Sequence, residues 1–352
     1  RPSLIMGRGY YTRMVRAAWD WRDGQLSSRW VFDSNVAGNG AYFGQGNHQM
    51  TIGDVDGDGK DEIINGSSVI NDNGTGLWTD GKGHGDALHM SDMDPSVAGQ
   101  EIWMSHEDPG SYGGTGLTLR KAKTGELLWG VQATGDVGRA MAADIDPRHP
   151  GYEMWGSAGG NVYNSKGVAI GSSVPSMNFG IWWDGDLSRE LLDGTKLDKW
   201  NTATNSAARL LTIYNTESAK ENNGSKANPA LTADILGDWR EEMIYRSSDN
   251  SKLILFTTNI PTEHRIYTLM HDPQYRVAVA WQNSAYNQPP HPGFFLGTDM
   301  VTPPAPNIVL ASAGAPPTPA ISYTGSTTFC QDHSIVLTSS ASSGNQWFKD
   351  GV

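Results

Sequence analysis

The sequence has little cysteine, no long apolar run and no excess of positive charge. Its 352 residues include one cysteine, Cys330, so no disulfide framework can form within the chain. No run of about 18 apolar residues is present, which excludes a membrane-spanning helix. Lys and Arg number 26 against 38 Asp and Glu, and the net charge of −12 argues against nucleic acid and anionic membranes as partners.

Glycine and tryptophan, in contrast, are abundant. The 42 Gly, 18 Pro and 13 Trp residues suit an all-β protein with many tight turns, and no long amphipathic helical pattern accompanies them. Strand-like residues directly after Arg1 and a turn signal just before Val352 predict that the natural chain continues at both ends.

An acidic motif occurs four times, at 53–64, 91–103, 143–155 and 233–245. In each copy an Asp precedes a Glu by eight or nine residues, and the four pairs are Asp54 and Glu62, Asp92 and Glu101, Asp144 and Glu153, Asp234 and Glu242. Such constant spacing indicates a repeated structural unit.

Carboxylates at alternate positions of a short turn are typical of calcium sites, because calcium takes six to eight oxygen ligands. The first copy does not fit an EF-hand, since Asn65 stands where that motif needs Glu and the flanking residues alternate as in strands. We therefore predict strand, calcium turn, strand units, with these metal ligands: Asp54, Asp56, Asp58, Glu62, Asp92, Asp94, Glu101, Asp144, Asp146, Glu153, Asp234 and Glu242.

The alternative is an acidic turn that binds nothing. It has most weight for 234–242, where Leu236 replaces the second Asp.

The leading Asp residues are 38, 52 and 90 residues apart. The first two distances fit one β-propeller blade each, and the third fits two blades, one of them without the motif. The dipeptides Asp23-Gly24, Thr124-Gly125 and Asp184-Gly185 predict hairpins between outer strands, and the spacing predicts about six blades.

The composition changes near residue 312. We predict a propeller domain over 1–311, a stiff Pro-rich linker over 312–320, and the start of a truncated immunoglobulin-like module over 321–352.

Ionisable residues precede each acidic turn at similar distances. His48, His84, Arg139 and Lys226 lie five to eight residues before a leading Asp, which predicts that they gather at one rim of a propeller channel. Taken singly, each is more often structural. A polar stretch at 282–291 follows a predicted strand over 277–281, and it indicates either sugar recognition or an ordinary Asn-rich turn.

Three longer stretches carry a resemblance: His-Gly-Asp-Ala-Leu-His at 84–89, Asn-Gly-Ser-Lys at 223–226, and the segment 280–291. With the acidic turns, they make residues 1 to about 310 resemble rhamnogalacturonan lyases of polysaccharide lyase family 11. The resemblance implies an eight-bladed β-propeller, N-terminally truncated here, that binds several Ca²⁺ ions. It also implies a secreted protein, extracellular or periplasmic, that cleaves rhamnogalacturonan I, the acidic polysaccharide of pectin, by β-elimination.

The resemblance also implies roles for single residues. His48 and His84 would bind metal in the cleft, and Asn223, Gly224, Asn283 and Ala285 would hold calcium and substrate. Ser225 stands where we expect Thr in the family and keeps the hydroxyl. Arg139, Lys226 and Tyr286 would be catalytic, with the base unassigned among them. The alternative function is a non-catalytic calcium propeller for carbohydrate binding or adhesion.

Overall fold

The structure is a computed structural model that describes residues 2–224, 226–286, 289–303, 305–306, 320–328, 334–341 and 347. The chain divides into two compact units, Arg1–Pro306 and Asn307–Val352. Among the helices of the described residues, none is long and apolar enough to cross a membrane.

The described residues of the first unit form six antiparallel sheets. The first sheet is β1 (Leu4–Arg8), β2 (Val15–Arg22) and β3 (Gln25–Asp33). The second is β4 (Thr51–Gly53), β5 (Glu62–Ile64), β6 (Ser68–Ile70) and β7 (Gly76–Thr79). The third is β8 (Leu88–Ser91), β9 (Glu101–Ser105), β10 (Thr115–Lys121) and β11 (Leu127–Gln132).

The remaining three sheets of this unit also have four strands each. The fourth is β12 (Ala140–Ala143), β13 (Glu153–Gly156), β14 (Val162–Tyr163) and β15 (Ala169–Gly171). The fifth is β16 (Phe179–Ile181), β17 (Glu190–Asp193), β18 (Lys196–Asn201) and β19 (Ser206–Thr212). In the sixth, the central β22 (Glu242–Ser247) pairs with β20 (Ala219–Lys220), β21 (Leu231–Ala233) and β23 (Leu253–Phe256). The all-β prediction is therefore confirmed.

Successive sheets bury apolar side chains against one another. Met104 and Ile102 of the third sheet pack with Ile64 of the second, and Trp103 packs with Met154 of the fourth. Further along the chain, Trp155 of the fourth sheet shares a cluster with Leu191 and Trp200 of the fifth, whose Phe179 and Leu192 pack with Met243 and Tyr245 of the sixth. The core of this unit thus lies between consecutive sheets.

The segment predicted as a strand over 277–281 is helical. The α-helix α1 (Pro273–Trp281) begins at a capping Asp272, whose side chain accepts a hydrogen bond from the backbone N–H of Tyr275. Proline suits the first helical position because it has no N–H to satisfy. These start signals outweigh the β-branched valines, so the strand prediction is wrong. Single 3-10 turns lie at Gly40–Tyr42, Ile213–Asn215 and Leu269–His271.

Two of the three hairpins lie where the sequence predicted them. Asp23 and Gly24, with φ of 51° and 78°, join β2 to β3, and Thr124-Gly125 lies between β10 and β11. Asp184-Gly185 also lies between paired antiparallel strands, but these are β16 and β17, the first two strands of the sheet, so the prediction of outer strands is wrong there.

Five sheets share one turn design. In each, an acidic turn joins two paired strands: β4 and β5, β8 and β9, β12 and β13, β16 and β17, or β21 and β22. A Glu is the first residue of the later strand of each pair: Glu62, Glu101, Glu153, Glu190 and Glu242. Each Glu accepts hydrogen bonds from backbone N–H groups six to eight residues earlier.

One blade between Asp144 and Asp234 was predicted to lack the acidic motif, but the turn that ends at Glu190 has the same design as the others. Ile181 and Glu190 are paired, as Ala143 and Glu153 are, so Trp182 occupies the position of the leading Asp. With Trp182 included, the spacing becomes 38, 52, 38 and 52 residues.

In the second unit, β24 (Ile321–Tyr323) and β25 (Leu337–Ser339) form an antiparallel pair. Cys330 and the predicted linker, apart from Ala320, lie outside the described residues. The immunoglobulin-like module stays a prediction.

A buried polar chain links several sheets of the first unit. His89 Nε2 donates to the carbonyl of Ala140 (3.0 Å), so its Nδ1 accepts from His291 Nε2 (3.0 Å). His291 Nδ1 in turn accepts from Arg189 (3.2 Å), which also contacts Glu241 (3.4 Å). When both imidazoles are neutral, each donates one of these hydrogen bonds and accepts another. An added proton on His89 Nδ1 would place two N–H donors against each other.

Protonation of His89 should therefore be unfavourable in the folded unit. Burial lowers the pKa of His89 from 6.5 to about 4. Between pH 6.5 and about 4, His89 therefore binds a proton in the unfolded chain and not in the folded chain. His89 contributes stability above pH 6.5 that is lost as the pH falls towards about 4, on the order of 3 kcal/mol. Urea unfolding of the parent and of His89→Gln at a series of pH values measures this slope as the difference between the two proteins, because buried carboxyl groups of raised pKa contribute with the opposite sign to both.

The matched control is His271→Gln, because His271 is exposed. Its slope should equal that of the parent. A pH slope between 6.5 and 4 that is the same in His89→Gln and in the parent would contradict the assignment.

Candidate metal and catalytic site

The residues that precede the first strands of neighbouring sheets come together. Asn47 and Gly85 form a parallel bridge, and the N–H of His48 donates to the carbonyl of Gly85 (3.3 Å). The chain therefore enters β4 and β8 side by side in the same direction. This alignment explains why polar residues at similar distances before each acidic turn meet in space.

Three of these side chains, His48, His84 and Asp86, form with Glu107, which follows β9, what we call the His–carboxylate cluster. One ligand atom from each lies within 4.8 Å of the others. His48 Nε2 is 3.4 Å from Asp86 Oδ1, and His84 Nε2 is 3.1 Å from Glu107 Oε2. Two imidazoles and two carboxylates at such distances form a donor set for a divalent cation.

The hydrogen bonds fix which nitrogen of His84 faces the cluster. Nδ1 lies 2.8 Å from the carbonyl of Gly46, so Nδ1 carries the proton and Nε2 presents a lone pair. Within the described part of the chain, Nε2 of His84, Oδ1 of Asp86 and Oε2 of Glu107 are buried without a hydrogen-bond partner. Acceptors that face each other in this way need a cation between them.

Burial, with the nearby His84, lowers the pKa of His48 below its usual range. Two tyrosines cover the cluster. Tyr10 stacks on His84 with ring centroids 5.0 Å apart, and the Tyr11 hydroxyl lies 3.4 Å from His48 Nε2.

Asp86, Glu107, Tyr10 and Tyr11 were not among the predicted site residues. Asp86 lies inside the stretch 84–89 and was within reach of sequence reasoning. Glu107 follows β9 and the two tyrosines follow β1, in positions that no motif marks.

The predicted catalytic residues lie beside this cluster. The Tyr286 ring is 5.1 Å from His48, measured between centroids, and the Lys226 ammonium lies over the same ring at 2.9 Å from its centroid. The Arg139 guanidinium is 5.2 Å from that centroid. Burial and the charge of Arg139 lower the pKa of Lys226, whereas burial and the charge of Asp86 raise the pKa of Tyr286. Tyr286 thus connects Lys226 and Arg139 to the cluster.

The predicted substrate-binding residues lie on two neighbouring segments. The side-chain amide of Asn228 donates to Asn283 (2.6 Å), which donates to the carbonyl of Ala230 (2.7 Å), and so ties 228–230 to 283. Asn223 and Gly224 are exposed and Ala285 is half-buried. Ser225 lies outside the described residues. The roles of these residues stay predictions.

The first acidic turn fits a cation well. Asp54, Asp56 and Asp58 place one carboxylate oxygen each within 4.8 Å of the others. Oε2 of Glu62 accepts from the N–H of Val55, while Oε1 is buried without a partner among the described residues. Burial raises the pKa of Glu62 to about 7, so a bound cation would relieve an unfavourable charge.

The second and third turns keep unpaired oxygens as well. In the part of the chain that is described, Oδ1 of Asp92 and of Asp144 and Oε1 of Glu101 and of Glu153 are buried without partners. Burial raises the pKa of Glu101 and of Asp144 to about 7. Asp94 and Asp146 instead contact Lys166 and Arg148. In both turns, therefore, the carboxylate oxygens free to bind a cation are those of the leading Asp and of the Glu.

The turn 234–242 keeps no buried, unpaired carboxylate oxygen among the described residues, unlike the other three predicted turns. Asp234 accepts from the N–H groups of Gly237 (2.8 Å) and Leu269 (2.8 Å) with its two oxygens. Glu242 Oε1 accepts from Thr257 (3.2 Å). Protein donors thus engage the oxygens that were predicted to bind calcium. A group absent from the prediction, Asp184, Asp186 and Glu190, brings carboxylates within 4.8 Å instead.

Comparison with known proteins relates this geometry to a family. The family model for the C-terminal domain of rhamnogalacturonan lyase family 11 matches residues 1–306. The chain belongs to rhamnogalacturonan lyase family 11. The family resemblance suggested by the sequence motifs is therefore confirmed.

Two family 11 relatives come from Bacillus subtilis. The chain is 56% identical over 309 residues to rhamnogalacturonan endolyase YesW, and the aligned region covers 88% of this chain and 49% of YesW. It is 53% identical over 331 residues to rhamnogalacturonan exolyase YesX, covering 90% of this chain and 53% of that one. The chain thus spans about half the length of these relatives.

A solved structure extends the comparison to the fold. The rhamnogalacturonan lyase of Bacillus licheniformis is 55% identical and superimposes with a TM-score of 0.84, over 88% of this chain and 52% of that one. The all-β architecture described above is therefore shared with a family 11 lyase.

Loss of one imidazole should remove one metal ion. His84→Ala deletes the lone pair at Nε2, and we expect the variant to retain one divalent ion fewer per chain than the parent. Elemental analysis after dialysis against calcium measures this directly.

His264→Ala is the control, because His264 is a half-buried histidine outside the cluster. It should retain the metal content of the parent. Equal metal content in His84→Ala and the parent would show that the cluster binds no ion.

Proposed function

We propose that this chain carries the catalytic chemistry of a rhamnogalacturonan lyase, which cleaves rhamnose–galacturonate linkages of pectin by β-elimination. The observation that supports it most is the position of Tyr286, between the His–carboxylate cluster and the two cations Lys226 and Arg139. The activities of YesW and YesX, which are rhamnogalacturonan lyases, support the substrate class.

The sheets described above are proposed to be blades of a β-propeller. Three observations support this arrangement: each sheet packs on the next, the repeat spacing alternates between 38 and 52 residues, and the first strands of two neighbours enter in parallel. A propeller places equivalent positions of its blades around one channel, which would explain the convergence of His48, His84 and Arg139.

Calcium is the proposed ion in the His–carboxylate cluster and in the turns 54–62, 92–101 and 144–153. The buried, unpaired carboxylate oxygens of these sites fit its preference for oxygen ligands. Imidazole ligands in the cluster also suit zinc or manganese, and metal analysis of the purified protein decides between them.

The proposed reaction needs a base, an acid and a group that stabilises negative charge. A base removes the C5 proton of galacturonate, the electrons form the C4–C5 double bond, and the C4–oxygen bond breaks with a proton delivered to the leaving oxygen. A bound divalent ion would supply electrostatic stabilisation of the galacturonate carboxylate during proton removal. Lys226 and Tyr286 are the residues able to transfer protons, and Arg139 supplies positive charge for a carboxylate ligand.

Asn223, Gly224, Ser225, Asn283 and Ala285 are proposed to bind the sugar chain. The hydrogen bonds from Asn228 to Asn283 hold the two segments together, which would keep their exposed amide groups in a fixed orientation. A polymer of plant cell walls as substrate supports a secreted protein, extracellular or periplasmic.

The alternative is a propeller that binds carbohydrate without cleaving it. Ultraviolet absorbance separates the two, because elimination creates an unsaturated uronate and binding does not. If the protein binds rhamnogalacturonan and no chromophore develops, the lyase proposal fails.

Replacement of either cation should lower turnover while the fold stays intact. For Lys226→Ala and Arg139→Ala we expect turnover about 10²–10⁴ below the parent. Metal content and melting temperature should stay near the parent values, since neither residue is a ligand or part of an acidic turn. Initial rates of chromophore formation give kcat and KM for each variant.

A raised KM with unchanged kcat would instead assign both cations to uniform binding of the polyanion. Tyr286→Phe tests the hydroxyl separately, because the ring under Lys226 is kept. If Tyr286→Phe turns over as the parent does, the tyrosine transfers no proton.

A further inference from the structure

The acidic turn 182–190 differs from the others because one lysine contacts all three of its clustered carboxylates, whereas the basic side chains at the other turns contact a single carboxylate of the turn. The ammonium of Lys199, in β18, lies 2.8 Å from Asp186 Oδ2 and 2.8 Å from Glu190 Oε1, and it also contacts Asp184 Oδ2. These are the three carboxylates that place oxygens within 4.8 Å of one another. The Lys199 side chain is only 23% exposed.

The hydrogen bonds of this turn are complete without a metal ion. An ammonium group has three N–H donors, and here each meets a different carboxylate. The second oxygen of each carboxylate accepts a backbone N–H: Glu190 from Trp183 (2.8 Å), Asp184 from Asp186 (3.0 Å) and Asp186 from Ser188 (2.9 Å). Within the described residues, no carboxylate oxygen of this turn is buried and unpaired.

The turns 54–62, 92–101 and 144–153 show the opposite pattern. Their glutamates, Glu62, Glu101 and Glu153, each keep Oε1 buried without a partner among the described residues. The turn 182–190 also lacks the leading Asp, which Trp182 replaces, and so holds one carboxylate fewer at that position. A single positive charge therefore suits it better than the other turns.

We propose that Lys199 takes the place of a divalent cation in the turn 182–190, so that this turn is independent of metal in the native protein. The inference depends on the proposed ions of the other turns and does not depend on lyase activity. It predicts that removal of the ammonium converts the turn into a metal site, because three clustered carboxylates would then lack a counter-charge.

The test is the calcium content of Lys199→Met. Elemental analysis after equilibrium dialysis against calcium should find one calcium ion more per chain in the variant than in the parent. The melting temperature of Lys199→Met should also fall further on chelation than that of the parent. Lys199→Arg keeps a cation with several donors and should behave as the parent does.

Lys121→Met is the matched control. Lys121 lies on the third strand of its sheet and is paired with Glu101, the glutamate equivalent to Glu190. Its ammonium contacts Glu126 (2.7 Å) instead of the acidic turn, so its loss should leave the calcium content unchanged.

An unchanged or lower calcium content in Lys199→Met would overturn the proposal. A second measurement uses the parent alone and is independent of how the variant folds. Anomalous scattering from calcium-soaked crystals should show an ion at Asp54, Asp56 and Asp58 and none between Asp184, Asp186 and Glu190. An ion at the latter group, or none at either, overturns the inference, whereas absence of lyase activity leaves both readouts untouched.

Discussion

The hydrogen bonds from turn backbone to a buried glutamate are the interaction on which this architecture depends. In five sheets the first residue of the strand after the acidic turn is Glu, and its Oε2 accepts one or two N–H groups of that turn. The bond fixes the turn and leaves the other oxygen to be neutralised. The partner of that other oxygen differs between the turns. In three of them it is unpaired among the described residues and suits a metal ion, in Glu190 it contacts Lys199, and in Glu242 it accepts from the hydroxyl of Thr257.

Much of the fold was predictable because this repeat shows as a constant spacing between Asp and Glu in the sequence. Asp54 and Glu62 define a turn whose equivalents recur, and strand alternation on either side predicts the paired strands. The fifth copy was missed because Trp182 replaces the leading Asp, and Asp184-Gly185 consequently suggested an outer hairpin. The helix at Pro273 was missed because its start depends on the Asp272 cap, whereas the β-branched composition of the segment favoured a strand.

The site was predictable only in part, for a physical reason. Equivalent positions before each first strand share a direction, so the convergence of His48 and His84 follows from the repeat alone. Glu107 enters the cluster from the end of β9, and Tyr10 and Tyr11 from the segment after β1, and neither position is marked by spacing. Which acidic turns suit a cation depends on distant side chains such as Lys199 and Thr257, which only tertiary structure brings into place.

We propose that an ion in the His–carboxylate cluster acts together with Lys226, Arg139 and Tyr286 in a single elimination site. The most direct measurement is chromophore formation from rhamnogalacturonan by protein stripped with a chelator and then resupplied with calcium. We expect the stripped protein to be inactive, calcium to restore the activity of the parent, and calcium to fail to restore the activity of His84→Ala. Equal rates from the stripped and the resupplied parent would contradict the proposal.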